Sequence, residues 1–194
     1  MTQVKHMTIA MLIVASNQAF AQSGGLFIEV NGTITPQTPS VNINVYTYWE
    51  GYPQIYGVGF AVYDLVATES GFTDNIIHHN WLGFTFPPPA PTNTGTALLD
   101  LTAGQLGPNF FTWSSPVLLH TVEWTTDDFT PRELSVSTEI DYIDLFPYSH
   151  VFIYERIPDP VNGSVTIQII PAPSSALSLL GGAGLLGARR RRRQ

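Results

Sequence analysis

From Val41 to Trp49 the side chains change character one by one, with Val41, Ile43 and Val45 set against Asn42, Asn44 and Tyr46. A period of two belongs to a strand with one buried and one wetted face, and it excludes a helix there. The pattern recurs along the chain between clusters of Gly, Pro, Asn, Asp and Ser, which supply turns. Strands are expected at Leu26 to Ile34 with a bend at Gly32, at Val41 to Trp49, and at Gly57 to Thr68. The last is apolar on both faces apart from Asp64, which suits a central strand, with a helix as the alternative. Further strands are expected at Ala97 to Leu101, Val117 to Thr125, Glu133 to Thr138, Asp141 to Phe146, Ser149 to Arg156 and Ser164 to Ile170. Ile76 to Phe84 is ambiguous, Phe86 to Pro91 reads as extended polyproline, and Ala103 to Pro116 reads as a loop whose aromatic residues must pack somewhere. Eight to ten short strands with no clear helix between them predict an all-β fold, an antiparallel β-sandwich such as a jelly roll. An up-and-down barrel is the rival architecture.

The two ends follow other rules. Met1 to Ala21 has a weakly basic start (Lys5, His6), an apolar stretch from Met7 to Ala15, and then Ala19-Phe20-Ala21. That is the layout of a secretory signal helix with an Ala-x-Ala cleavage site, so the mature chain is expected to begin at Gln22. Its partners would be the Sec translocon and signal peptidase. At the other end stand Pro171-Ala172-Pro173-Ser174-Ser175, an apolar run from Ala176 to Ala188, and the arginines Arg189, Arg190, Arg191, Arg192 and Arg193. As a helix the run is about 20 Å long against a hydrocarbon core of about 30 Å. The arginines behind it resist translocation. A plain short membrane anchor is one reading of this tail. Expected boundaries are thus 1–21 for the signal, 22–170 for a β-sandwich ectodomain, and 171–194 for a tail with a short apolar helix.

The order Pro-x-Pro, small residues, Leu/Gly/Ala-rich span and terminal arginines resembles the PEP-CTERM sorting signal of Gram-negative bacteria. The resemblance implies that an exosortase-type membrane protease removes the tail near Pro171 and Pro173. It also implies transient anchoring in the inner membrane, then delivery to the cell surface or extracellular matrix. Ala172 stands where the family usually has Glu, which implies a variant enzyme. The ectodomain is loosely similar to cohesin and carbohydrate-binding-module sandwiches, through its strand order, Phe60 to Leu65, and Trp124 to Arg132.

Between the two ends lie all fifteen acidic residues but only Arg132 and Arg156 as cations, a formal charge of −13. Nucleic acid and anionic lipid are poor partners for such a surface, and no nucleic-acid partner is expected. There is no cysteine, so the domain must stand on packing alone.

Each candidate site has a plainer reading. His78 and His79, with Asp74 or Asp64, are a metal candidate, but neighbours on a strand point to opposite faces. Asp127 and Asp128, with Asp159 or Glu133, offer oxygens to calcium, or else cap a turn. The cluster Tyr46, Tyr48, Trp49, Tyr52 and Tyr56, with Trp81 and Trp113, suits either sugar stacking or the core. Trp49, Tyr52 and Tyr56 are the glycan-contact candidates, and Trp124 is expected in the core. Ser114, Ser115 and His120 lack a Gly-x-Ser-x-Gly elbow. Glu29, Glu50, Glu123 and Glu139 are scattered carboxylates of the glycosidase kind. No catalytic set, metal or cofactor is expected. The reading is a non-enzymatic surface or matrix protein with a structural or adhesive role. The alternatives are a carbohydrate-binding module recognising exopolysaccharide and a secreted hydrolase.

Overall fold

A computed structural model describes residues 22–171. The expected signal, with Ala19 and Ala21, lies outside the described residues. So does the tail from Ala172 onward, with Pro173 and the five arginines, while Pro171 is the last described residue. Among the described residues no helix is long and apolar enough to cross a membrane.

The described strands are β1 (Ser23–Val30), β2 (Ser40–Glu50), β3 (Val58–Ala67), β4 (Phe72–His78), β5 (Trp81–Leu82) and β6 (Thr92–Asn93), followed by β7 (Ala97–Gln105), β8 (Val117–Thr125), β9 (Arg132–Leu145), β10 (Glu155–Arg156) and β11 (Ser164–Ile169). They form two sheets, as the antiparallel sandwich reading requires. The smaller has the order β1-β2-β8-β4. The larger runs β10-β9-β3-β7-β5, with β11 also on β9 and β6 also on β7. Between the named strands pairing is antiparallel except for the short β5–β7 pair, and isolated parallel bridges join Gly25 to Val161 and Ile34 to Ile169.

The alternation read in the sequence is the burial pattern of the structure. Val41, Ile43, Val45, Thr47 and Trp49 turn inward on β2, while Asn42, Asn44, Tyr46 and Tyr48 face outward or are half-buried. β3 lies between β7 and β9, the central place its two apolar faces demand. Ala61, Tyr63 and Leu65 enter the core from β3, and Leu119, Val122 and Trp124 enter it from β8. A single apolar cluster joins the two sheets. No disulfide supports it.

Several expected boundaries move. β1 stops at Val30, before the left-handed Gly32. The expected strands at Glu133 to Thr138 and Asp141 to Phe146 are one continuous β9, because β3 pairs with it from Val136 to Leu145, across the expected break. β7 extends to Gln105, into the stretch read as loop. The strand expected at Ser149 to Arg156 does not form: only Glu155 and Arg156 pair, with Leu145 and Asp144. From Val151 to Tyr154 both strand faces would be apolar, and no neighbouring edge is present to cover them.

The core makes a direct stability prediction. Ile43 is fully buried between the sheets, so Ile43→Ala should cost about 2–5 kcal/mol in urea unfolding. Asn42→Ala, one position away on the wet face, should change stability by about 0.5 kcal/mol or less.

Candidate functional site

Strands can satisfy one another along their length, but a sandwich still has two open ends. Here the ends differ. At the end where β3 begins and β7 and β9 finish, three connections project: residues 79–91, 106–116 and 146–154. Their bases are tied by backbone hydrogen bonds. Tyr56 N–H donates to Phe146 O (2.7 Å), Asn109 N–H to Tyr56 O (2.8 Å), Trp113 N–H to Ile55 O (2.7 Å) and Leu106 N–H to Leu82 O (2.9 Å). The Gln105 amide, 2 % exposed, donates to the carbonyls of Tyr56 and Gly107. The loops are thus braced from below by a buried polar clamp.

Above that clamp the side chains are apolar and open. Phe110 and Phe111 are 78 % and 79 % exposed, and Phe152 is 68 % exposed. Leu82 and Phe86 stand out from the first loop, Leu106 from the second, and Tyr148, Ile153 and Tyr154 from the third. The three loops touch. Phe110 lies 5.8 Å from the His150 ring, and a Cβ on Gly107 would come within 2.8 Å of Phe152. Trp81 stacks on Phe84 at 4.3 Å, and Phe60 bridges Phe84 to Tyr154 at 6.1 Å each. The exposed apolar side chains of this end present on the order of 1,000 Å² to water, where a monomer's largest apolar patch is usually about 300–600 Å². None of the three loops contains Asp, Glu, Lys or Arg, although the domain carries seventeen such residues. Seven of the chain's fifteen prolines are here, so fewer N–H groups would lose water if this end were covered. The sequence signal for this site was the pairing of aromatic-rich loops with a total absence of charge; of the 103–116 aromatics expected to pack, Trp113 does so against the core, while Phe110 and Phe111 do not.

The structure distributes the other candidates elsewhere. Trp49 is 7 % exposed and belongs to the core, so it offers no free ring face. Tyr52 packs against the core with its hydroxyl buried and unpartnered. Tyr56 is half-buried, and its hydroxyl donates to Gln54. Phe27 and Tyr46 instead stack on the outer face of the smaller sheet, 4.9 Å apart and nearly parallel, with Tyr48 beside them.

His78 and His79 diverge as strand geometry requires. His79 Nε2 meets Thr121 Oγ1 at 2.9 Å. His78 Nδ1 meets Nε2 of the fully buried His120 at 3.0 Å. His120 Nε2 also faces the Thr102 carbonyl, which only accepts, so Nε2 carries the proton and Nδ1 accepts from the Tyr63 hydroxyl. Asp74 is taken by Asn93, and Asp64 by the Asp100 backbone. Among the described residues no group of three or more His, Asp or Glu is placed to hold a metal. Asp128 caps its turn, accepting from the backbone and hydroxyl of Thr130 and pairing with Arg132 at 3.2 Å. The Thr130 hydrogen bonds hold its carboxyl below the usual range. Ser115 Oγ accepts from Trp49 N–H, while His120 is engaged by Tyr63, Thr102 and His78, so serine and histidine form no pair. No catalytic set is assembled from these residues.

No family model matches the chain, and no curated protein matches it. Solved structures do. BslA, a bacterial hydrophobin, aligns over 78 % of this chain and 97 % of its own, at 11 % identity and TM-score 0.41. The seventh ScaB type I cohesin of Pseudobacteroides cellulosolvens aligns over 77 % and 96 %, at 12 % and 0.46. The third ScaC cohesin of Acetivibrio cellulolyticus, solved with the ScaB dockerin, aligns over 75 % and 99 %, at 11 % and 0.39. These are loose likenesses between all-β domains, and none carries a functional inference.

The buried histidine sets an acid dependence. Desolvation, and next the neighbouring His78, hold His120 down at about 3, against its ordinary value of 6.5. His78 is also lowered, chiefly by desolvation. The unfolded chain therefore binds more protons from pH 6.5 downward, and stability falls as pH falls through that window. His120 alone contributes a slope approaching about 1.4 kcal/mol per pH unit. His120→Asn should flatten chemical-denaturation stability between pH 6.5 and 5, and an unchanged slope would contradict this account.

Proposed function

We propose that this is an exported, non-enzymatic protein of the cell surface or extracellular matrix, with a structural and adhesive role exercised through its charge-free end. One observation carries the reading: ten large apolar side chains remain in water on loops that the fold braces rather than buries. A domain that needed only to be soluble would gain by replacing them with polar residues. The Ala-x-Ala signal and the arginine-ended tail support export and surface sorting, with Sec, signal peptidase and an exosortase-type protease as the handling machinery. The acidic body suits a hydrated matrix and disfavours nucleic acid.

A second reading is favoured by a different surface. Phe27, Tyr46 and Tyr48 form an outward aromatic row on the smaller sheet, beside Glu29 and Asn44. Such rings suit the apolar face of a sugar, so the domain would recognise exopolysaccharide there.

Adsorption separates the two. The protein recovered from the cell exterior should be retained on an octyl resin, and F110S/F111S/F152S should elute at markedly lower retention with an unchanged far-UV spectrum. Equal retention would remove the apolar end from the function. Saturable pull-down by exopolysaccharide, lost in Y46A/Y48A and kept in the triple variant, would replace the adhesive reading with the glycan one.

A further inference from the structure

We propose that the charge-free end is a homophilic docking surface, seating the same end of a second copy of this chain; this rests on the adhesive reading above. The area is sufficient. Roughly 1,000 Å² of apolar surface per copy exceeds the roughly 800 Å² that each partner contributes to a standard stable interface. The composition also fits, since Phe and Tyr are concentrated here and charge is absent, as at the centre of homodimer interfaces.

Charge selects how the copies meet. Each domain carries a formal −13. Glu50, Glu155 and the Asp144–Arg156 pair stand near the apolar end, below its loops, but most acids lie along the body and at the opposite end. Side-by-side packing would press acidic faces together. An end-to-end, two-fold contact keeps the charge centres about a domain length apart, roughly 45 Å by the fourteen residues of β9. That is several times the Debye length of about 8 Å, so repulsion is screened. An anionic bilayer would meet no Lys or Arg in the three loops and would be repelled by the body.

As the short helix expected of it, about 20 Å long, the chain's own tail falls short of the apolar end from its point of attachment. β11 runs antiparallel to β9, so Ile169 lies beside Arg132, and the described chain leaves at the end opposite the apolar loops. The apolar run of the tail begins at Ala176, within about 17 Å of that exit even if fully extended. Two copies joined by their apolar ends therefore place their chain exits at Pro171 on opposite sides. That is the arrangement of a contact between two facing surfaces, each holding one copy.

The absence of cysteine makes the geometry testable by single-cysteine cross-linking. Thr112 is exposed on the middle apolar loop, and Gln37 is exposed at the opposite end. In protein recovered from the cell exterior, Thr112→Cys should form disulfide-linked dimers under mild oxidation and Gln37→Cys should remain monomeric. Sedimentation equilibrium of the unmodified protein should show a dimer, weakened at least tenfold by F110S/F111S/F152S. Equal cross-linking at both positions, or a monomer at high micromolar concentration, would overturn homophilic docking. A monomer that spreads at an air–water interface or on neutral lipid vesicles would overturn it in favour of an apolar phase. A monomer whose intact mass still includes residues 1–21 would overturn it in favour of the leader, which joins the domain at the apolar end. Protein found only inside the cell would refute export instead, and the same sedimentation measurement on the full chain would still decide the docking.

Discussion

Strand β9 carries β3 along one edge and divides its other edge between β11 at its beginning and β10 at its end. Its inward residues Leu134, Val136, Ile143 and Leu145 are fully buried, so its register against β3 is tied to the core. Because β9 is unbroken, it also fixes the length of the molecule and the position of everything at either end. The exit of the chain lies at its start, and the apolar loops lie beyond its finish. Without this continuous pairing the two ends would have no defined relation, and the molecule would have no axis.

That axis separates two chemistries. The body is held by apolar packing between sheets and presents acidic residues to water, with few ion pairs: Arg132 with Glu69 and Asp128, and Arg156 with Asp144. These are partly or largely exposed and contribute little stability individually. The end beyond β9 is uncharged and aromatic. Its lower tier is well satisfied, with Gln105 and the Tyr56 carbonyl knitting the loop bases together. Only the upper tier is left without partners. A rigid support beneath an exposed apolar surface points to a built feature, because a merely frayed loop would not invest a buried amide in holding its position.

Most of the fold could be read from residue alternation, since strands such as β2 have one wet and one buried face. β2 and β8 match their expected spans almost residue for residue, and the double apolar character of Gly57 to Thr68 correctly implied a central strand. The misreadings share one cause. Periodicity reports which residues could line a buried face, and it does not report whether a partner edge is present. Ser149 to Tyr154 has the composition of a strand and nothing to pair with. Phe110 and Phe111 have the composition of core residues and no core above them. Trp49, Tyr52 and Tyr56 were grouped by proximity in sequence, but alternation on β2 and the turn after it send them to different surroundings. Conversely, the divergence of His78 and His79 followed from strand geometry alone, whereas the meeting of His78 with His120 required the pairing of β4 with β8.

The account turns on whether the apolar loops stay open to water when the molecule is alone. Hydroxyl-radical footprinting of dilute protein, read by mass spectrometry, measures this residue by residue. Phe110, Phe111 and Phe152 should oxidise as fast as fully exposed aromatics, while Trp124 and Tyr63 stay protected. Protection of the three phenylalanines at a level matching Trp124 in the dilute monomer would mean that the end is closed by the chain itself, and the account would fail.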